Sequence, residues 1–200
     1  MRQFRDGSMT NRANMKTIHT MLTWLALPIL LIGCATAPPM TASDLTVHTT
    51  TAKLTKQEGS LTVASVKSDN RSAHFRKPID VELFREALSE TLQESGLFAS
   101  VSKESGGDFT LETEIIYQAP VDAYSVTVPL LVHYKLRNAR TKKVVWKKNT
   151  FSQPSIPYEK SEAGMTGEVR HNTMVRAAVR DSFNQVLDSM YATAKKGGLQ

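Results

Sequence analysis

Two periodicities alternate along the chain, and the points where one yields to the other outline its elements. Residues 60–67, opened by Gly59, form a β-type run whose alternation predicts Leu61 and Val63 on one face and Ala64 and Val66 on the other. A polar stretch, residues 68–77, carries His74 and Phe75 and leads to Pro78 and Asp80, which announce a helix with Asp80 as its N-cap. Val81, Phe84, Ala87, Leu88, Thr91 and Leu92 then recur at three- and four-residue spacing, while Glu82, Arg85, Glu86, Glu90 and Gln93 take the opposite side. Gly96 supplies the left-handed position that ends such a helix, and Leu97 and Phe98 supply the hydrophobic contact that closes it.

Strands follow. Residues 98–103 read as a short strand and Ser105, Gly106, Gly107 and Asp108 as the turn that ends it. In residues 109–118, Phe109, Leu111, Thr113, Ile115 and Tyr117 share one face, with Glu112 and Glu114 on the other, the mark of a sheet with one buried and one wet side. Residues 119–122 break the run, residues 124–137 resume it, and residues 138–143 turn it back into residues 144–151, which makes a hairpin. Pro154 and Pro157 bound a loop, after which residues 168–194 are helical in period, with Val175, Val179, Phe183, Val186 and Met190 as a stripe widened by Ala178 and Leu187. Lys195, Lys196 and Gly197 end this helix, placing positive charge at the negative pole of its dipole. The pattern predicts an α+β domain: a mostly antiparallel sheet of four to five strands with two amphipathic helices packed on one face.

The front of the chain is different. Residues 1–16 are polar and carry Arg2, Arg5, Arg12 and Lys16 against Asp6, and residues 21–32 are apolar with no polar face. Twelve residues interrupted by Pro28 fall short of the roughly 20 that a spanning helix needs, so the segment reads as an export signal, residues 1–33. It ends in Leu31, Ile32, Gly33 and Cys34, the only cysteine of the chain. Residues 36–43, small and Pro-rich, have the composition of a tether with nothing to pack into a core. Leu45, Val47 and Thr49 alternate weakly, as in an optional edge strand. The organisation expected is a signal (1–33), a tether (34–58), an α+β domain (59–194) and a short tail (195–200).

Charge and composition then sharpen the picture. The 200 residues carry a formal charge of +6, from 25 Lys and Arg against 19 Asp and Glu. Four of those bases and one of those acids lie in the signal, so the 167 residues from Cys34 onward (200 less 33) carry 21 against 18, or +3. Nucleic acid thereby loses its claim as a partner. One cysteine excludes an intramolecular disulfide framework and Cys-rich zinc or thiol redox chemistry.

Candidate chemistry is sparse. His19, His48, His74, His133 and His171 stand singly, without HxxxH or HExxH pairing, and no serine sits in a GxSxG or SxxK setting. The turn with Gly106 and Gly107 is the nearest thing to a phosphate-cradling loop, but it lies between strands, lacks the GKS/T ending and opens no helix. Glu112 and Glu114 lie on one solvated strand face. Lys135, Arg137, Arg140, Lys142, Lys143 and Lys147, around Tyr134 and Trp146, make a basic stretch that reads first as a solvated hairpin tip and second as a patch for lipid head groups, lipopolysaccharide or a protein partner. No catalytic residue, metal site or cofactor is expected. A pocket gathering His133 or His74 with a carboxylate and a serine would instead favour an envelope hydrolase.

Leu31, Ile32, Gly33 and Cys34 resemble the lipobox of bacterial lipoproteins. The resemblance implies cleavage before Cys34 by a peptidase reading Leu31, Ile32 and Gly33, and transfer of a diacylglycerol to the Cys34 thiolate, the side chain nucleophilic enough to form the thioether. Buried acyl chains hold by about 0.8 kcal/mol per methylene, so two or three anchor the chain to a bilayer without spanning it. Ala35 after the cysteine implies the outer membrane, with the domain facing the periplasm. Met15 would begin a signal of ordinary length, and the start at Met1, Met9 or Met15 stays open. Together with the helix from Phe84 to Phe98, the hairpin and the helix with Arg176 to Asn184, this pattern resembles small envelope-accessory lipoproteins, similar to the amino-terminal domain of the Tol-Pal translocation protein B and to ABC-transport auxiliary lipoproteins. The resemblance implies a non-enzymatic binding or assembly module with an envelope protein or lipid as partner; the alternative is an accessory subunit of an ABC-type transport or secretion complex.

Overall fold

The computed structural model describes residues 38–48, 59–69, 79–117, 125–157, 167–197 and 199. The elements below all belong to one unit within residues 39–200. They run α1 (Ala42–Leu45), β1 (Ser60–Asp69), α2 (Val81–Ser95), β2 (Ser100–Ser102), β3 (Phe109–Tyr117), β4 (Ser125–Thr127), β5 (Leu130–Asn138), β6 (Val144–Ser152), β7 (Ser155–Pro157) and α3 (Gly167–Ala194).

Five strands form one sheet in the order β2-β1-β3-β5-β6. Its two longest ladders, β3 with β5 and β5 with β6, are antiparallel. The sheet is mostly antiparallel, as expected, with β1 as the exception: it runs parallel to both of its neighbours. Helix α2 is the cause, because a crossover of helical length returns the chain to the end of the sheet from which β1 started. A second departure lies within β1. Val63 pairs with Leu111 but Val66 with Thr113, so Ala64 and Ser65 together oppose Glu112 in a bulge. The extra residue reverses the alternation, and Val66 joins Leu61 and Val63 in the core instead of facing away from them.

The predicted strand over residues 124–137 is likewise two pieces. Val128 and Pro129 separate β4 from β5, and Gln153 and Pro154 separate β6 from β7, where Pro129 and Pro154 offer no N–H to a ladder. Ser125 pairs with Pro157 in the same phase in which Leu130 pairs with Ser152, so β4 and β7 prolong the β5–β6 ribbon past the break. The expected loop after Pro154 thus begins as a strand.

Both helices cover one face. Asp80 caps α2 by accepting from the N–H groups of Glu82 and Leu83 at 2.9 and 3.1 Å, and Gly96 closes it at φ 65°. Its buried side is Phe84, Ala87, Leu88, Ser89, Thr91 and Leu92. Phe84 meets Phe183 of α3 edge-on with ring centroids 5.0 Å apart, and Tyr191 of α3 donates its hydroxyl proton to the Ser95 carbonyl at 2.7 Å. The stripe predicted for α3 is buried throughout, as are Phe109, Leu111, Thr113 and Ile115 of β3.

Two polar details complete this layer. Ser182, fully buried on α3, is hydrogen-bonded to the Tyr134 hydroxyl at 2.8 Å and to the Thr150 hydroxyl at 2.6 Å. Arg85, assigned by periodicity to the polar side of α2, turns instead onto the sheet: its Nε and Nη2 donate to the Val63 carbonyl at 3.1 and 3.0 Å, and Nη2 also to the Lys103 carbonyl. Strand β2 pairs with β1 only as far as Thr62, and Arg85 takes the next carbonyl along that edge.

The segment expected as a tether also contributes to the core. Met40, Ala42 and Val47 pack against it and Leu45 is fully buried. Thr41 and Asp44 form a capping box around α1, so the weak alternation at Leu45 and Val47 belongs to a helical turn and its exit. Thr46 donates to Glu90 at 2.7 Å, the Val47 N–H to Thr91 at 3.1 Å, and Arg176 pairs with Asp44 at 3.3 Å, tying the segment to both helices. Residue 49 and the rest of the optional strand lie outside the described residues.

Candidate functional site

With one face sealed by helices, the sheet presents the other to solvent. Its middle carries a charged lattice. Arg137 of β5 donates to Glu112 of β3 at 2.8 Å, and His133 stands opposite Glu114 with Nδ1 3.7 Å from its carboxylate. Lys135 and Lys147 face each other directly across β5 and β6, an arrangement that repels unless an anion intervenes. Toward the far end Ile116, Leu131 and Phe151 are in register as an apolar row, and Phe151 is 55% exposed.

A shallow groove of about 320 Å³ crosses this face, lined among others by Ser65, Lys67, Glu112, Glu114, His133 and Lys135. It brings a histidine, carboxylates and a serine together, the combination that would favour a hydrolase. The register forbids the relay. Ser65 lies on β1 and His133 on β5 with β3 between them, so two strand spacings, about 9–10 Å, separate nucleophile from base. Acyl transfer needs that pair within hydrogen-bond reach, about 2.6–3.2 Å. His74 lies outside the described residues. His48 is bound to Glu94 at 2.9 Å on the helix side, and His171 is buried in α3.

At the other end the β5–β6 turn is held by Asn138, whose side chain accepts from the N–H groups of Arg140 and Thr141 at 3.0 and 2.9 Å. Lys142 occupies the left-handed region at φ 61°. The Ala139 N–H donates to the Asp108 carbonyl at 2.7 Å, so this turn is fastened to the loop between β2 and β3. Gly107 in that loop lies so close to β1 that a Cβ would come within 2.8 Å of the Thr62 backbone nitrogen. Asp108 accepts from both the N–H and the hydroxyl of Ser60 at 2.8 Å, and these bonds hold its carboxyl below the usual range. Between the two loops opens a cleft of about 510 Å³ reached by Lys103 and Lys142.

Leu31, Ile32, Gly33 and Cys34 lie outside the described residues. The turn of Ser105 to Asp108 and the basic hairpin tip were legible in the sequence as separate features. Their convergence was not, because it depends on Asn138 pairing with Phe109. Among the described residues no group of three or more His, Cys, Asp or Glu side chains is placed to hold a metal ion, and no helix is long and apolar enough to cross a membrane.

The class defined by these observations is an α+β domain with a five-stranded mixed sheet, helices on one face and an open charged face. A crystal structure of a Xanthomonas campestris protein of the DUF330 family is similar to it, with a TM-score of 0.58 at 11% identity over 78% of this chain and 96% of that one. At that identity the likeness is one of fold. A minor lipoprotein from Acinetobacter baumannii (TM-score 0.46, 14% identity, 66% of this chain and 92% of that one) and the PelC dodecamer from Paraburkholderia phytofirmans (0.46, 12%, 71% and 94%) are looser matches. No family model matches the chain and no curated protein is similar to it in sequence.

Proposed function

We propose that the protein is an exported lipoprotein of the bacterial envelope, held to the outer membrane by lipid on Cys34 and acting as a non-enzymatic binding or assembly module toward the periplasm. The observation that carries the anchor is positional: the only cysteine follows Leu31, Ile32 and Gly33 directly at the end of an apolar run preceded by basic residues. The open sheet face supports the binding role, since it presents an apolar row beside a charged lattice on a rigid, helix-backed sheet. Lipid attachment and the sheet face suit different tasks, one fixing the location and the other meeting the partner.

Crosslinking in intact cells through a photoreactive residue at Phe151 or His133, followed by mass spectrometry, tests the module. A discrete envelope partner captured from those positions and not from exposed Asn184 on α3 supports the reading. Capture of ABC-transporter or secretion subunits would assign the chain to such a complex as an accessory lipoprotein. Labelling that is equal at all three positions overturns the binding face. For the anchor, Cys34→Ala should abolish both the lipid modification and the cleavage before residue 34, so that an unprocessed precursor accumulates, and a variant that is still cut at that point like the parent contradicts it.

A further inference from the structure

We propose that the cleft between the loop from Lys103 to Asp108 and the turn from Ala139 to Lys143 binds a phosphate group, carried by a lipid head group or by a small soluble ester. Lys103 from one loop and Lys142 from the other line it, Ser105 and Thr110 add hydroxyls, and no carboxylate belongs to its lining. Two ammonium groups and two hydroxyls from different elements suit a tetrahedral anion with acceptors on several sides, whereas a flat carboxylate is matched best by the planar fork of an arginine. Of the nearby acids, Glu104 is exposed on the same loop but does not line the cleft, and two others are engaged elsewhere. Asp108 is turned to Ser60, and Glu112 to Arg137. Glu86 reaches Lys103 only at 3.4 Å, with both side chains half exposed, a pairing that solvent screens heavily.

The walls are built before any ligand arrives. The bond from the Ala139 N–H to the Asp108 carbonyl joins the loops, Gly107 is pressed onto β1 and donates its N–H to Thr62 at 3.0 Å, and Asn138 organises the turn. Lys142 is the only described residue other than glycine at positive φ. A lysine gains nothing from the left-handed region, where glycine or asparagine would rest more easily, so its side chain and not its backbone preference explains its presence there. Arg140 and Lys143, exposed beside it, add an attractive field at the mouth. At about 510 Å³ the cleft exceeds a bare phosphate and leaves room for an ester substituent. The loop is a turn between strands and no helix N-terminus takes part. None of this depends on whether Cys34 carries lipid.

The test is a titration of the full chain with inorganic phosphate, followed in ¹H–¹⁵N spectra against chloride at matched ionic strength. Saturable shifts at Ser105, Gly106 and residues 139–143 are expected, weakened at least tenfold by Lys103→Gln and by Lys142→Asn. Asparagine accepts the left-handed backbone, so Lys142→Asn should keep or raise the thermal midpoint while losing the ligand, which separates binding from folding. Shifts that fail to saturate, that appear equally at Lys195 and Lys196, or that survive both substitutions overturn the proposal. A second arm uses dihexanoyl phosphatidylglycerol below its micelle concentration. Competition with phosphate at the same amides supports a lipid head group as source, and phosphate binding without competition supports a small soluble ester.

Discussion

Ser182 is the shared node of a buried hydroxyl network, and its removal should cost more than that of either partner. Its Oγ lies 2.8 Å from the Tyr134 hydroxyl and 2.6 Å from the Thr150 hydroxyl, with all three residues at 1% exposure or less. Tyr134→Phe removes one bond but leaves Ser182 with Thr150, and Thr150→Val leaves it with Tyr134, so each should cost about 0.5–1.5 kcal/mol. Ser182→Ala instead takes from two buried hydroxyls at once the partner that holds each at 2.8 Å or less. At about 1–3 kcal/mol for each unsatisfied group, the loss is up to about 2–6 kcal/mol, a large part of the 5–15 kcal/mol that folded domains hold. The triple substitution Tyr134→Phe, Thr150→Val, Ser182→Ala leaves no polar atom of the three unsatisfied and should recover most of the Ser182→Ala loss. Urea unfolding followed by far-ultraviolet circular dichroism measures all four differences. If Ser182→Ala costs no more than Tyr134→Phe, or if the triple variant is as unstable as the sum of its parts, the shared-node reasoning is wrong.

Other consequences are equally direct. Burial raises the Tyr134 pKa well above its ordinary value, only partly offset by Ser182 and Thr150, so the folded protein keeps a proton that the unfolded chain releases above about pH 10. Stability should therefore fall as pH rises past 10, and unfolding curves of Tyr134→Phe should show that slope reduced by about one proton. Arg85→Leu should destabilise by about 1.5–3 kcal/mol, the range for hydrogen bonds from a charged donor, because it orphans the Val63 carbonyl; an unchanged unfolding midpoint would show that water replaces it freely. Asp44 is held below the usual carboxyl value by the Thr41 N–H and hydroxyl and then by Arg176 and Arg180, so the α1 docking it supports is complete above about pH 4 and lost as pH falls further. Protection of the Thr46 amide, bonded to the Ala42 carbonyl at 3.0 Å, measured against the unfolded-chain exchange rate at the same pH, should fall in acid and in Asp44→Ala, which costs about 1 kcal/mol as the loss of the capping box.

Where the sequence was legible, short-range signals agreed with one another. Helix α2 carries its N-cap at Asp80, its stripe and its Gly96 terminus within 17 positions, and each appears as read. The alternation of β3 and the stripe of α3 were equally local. What stayed hidden depended on partners distant in sequence. The bulge at Ala64 and Ser65 has no signature in a run of alternating apolar residues, and only pairing with β3 shows that Val66 faces inward. Arg85 sits on the polar side of its helix and finds its acceptor only because β2 is short. Leu45 alternates weakly with Val47 and Thr49, as in an edge strand, and only the packing of α2 and α3 makes it a buried residue of a helical turn. The cleft was half legible: the glycine turn and the basic hairpin could be seen, but Lys103 and Lys142 meet only through the β3–β5 register.

The proposed envelope role rests on lipid carried by Cys34. Intact mass spectrometry of the protein recovered from the membrane fraction of its native envelope tests it most directly. The expected species begins at Cys34 and is heavier than its sequence by a thioether-linked diacylglycerol, with or without an amide-linked acyl chain, while an unprocessed, unmodified precursor accumulates in Cys34→Ala. A mature protein that retains residues upstream of Cys34, or that begins at Cys34 with a free thiol, would contradict it.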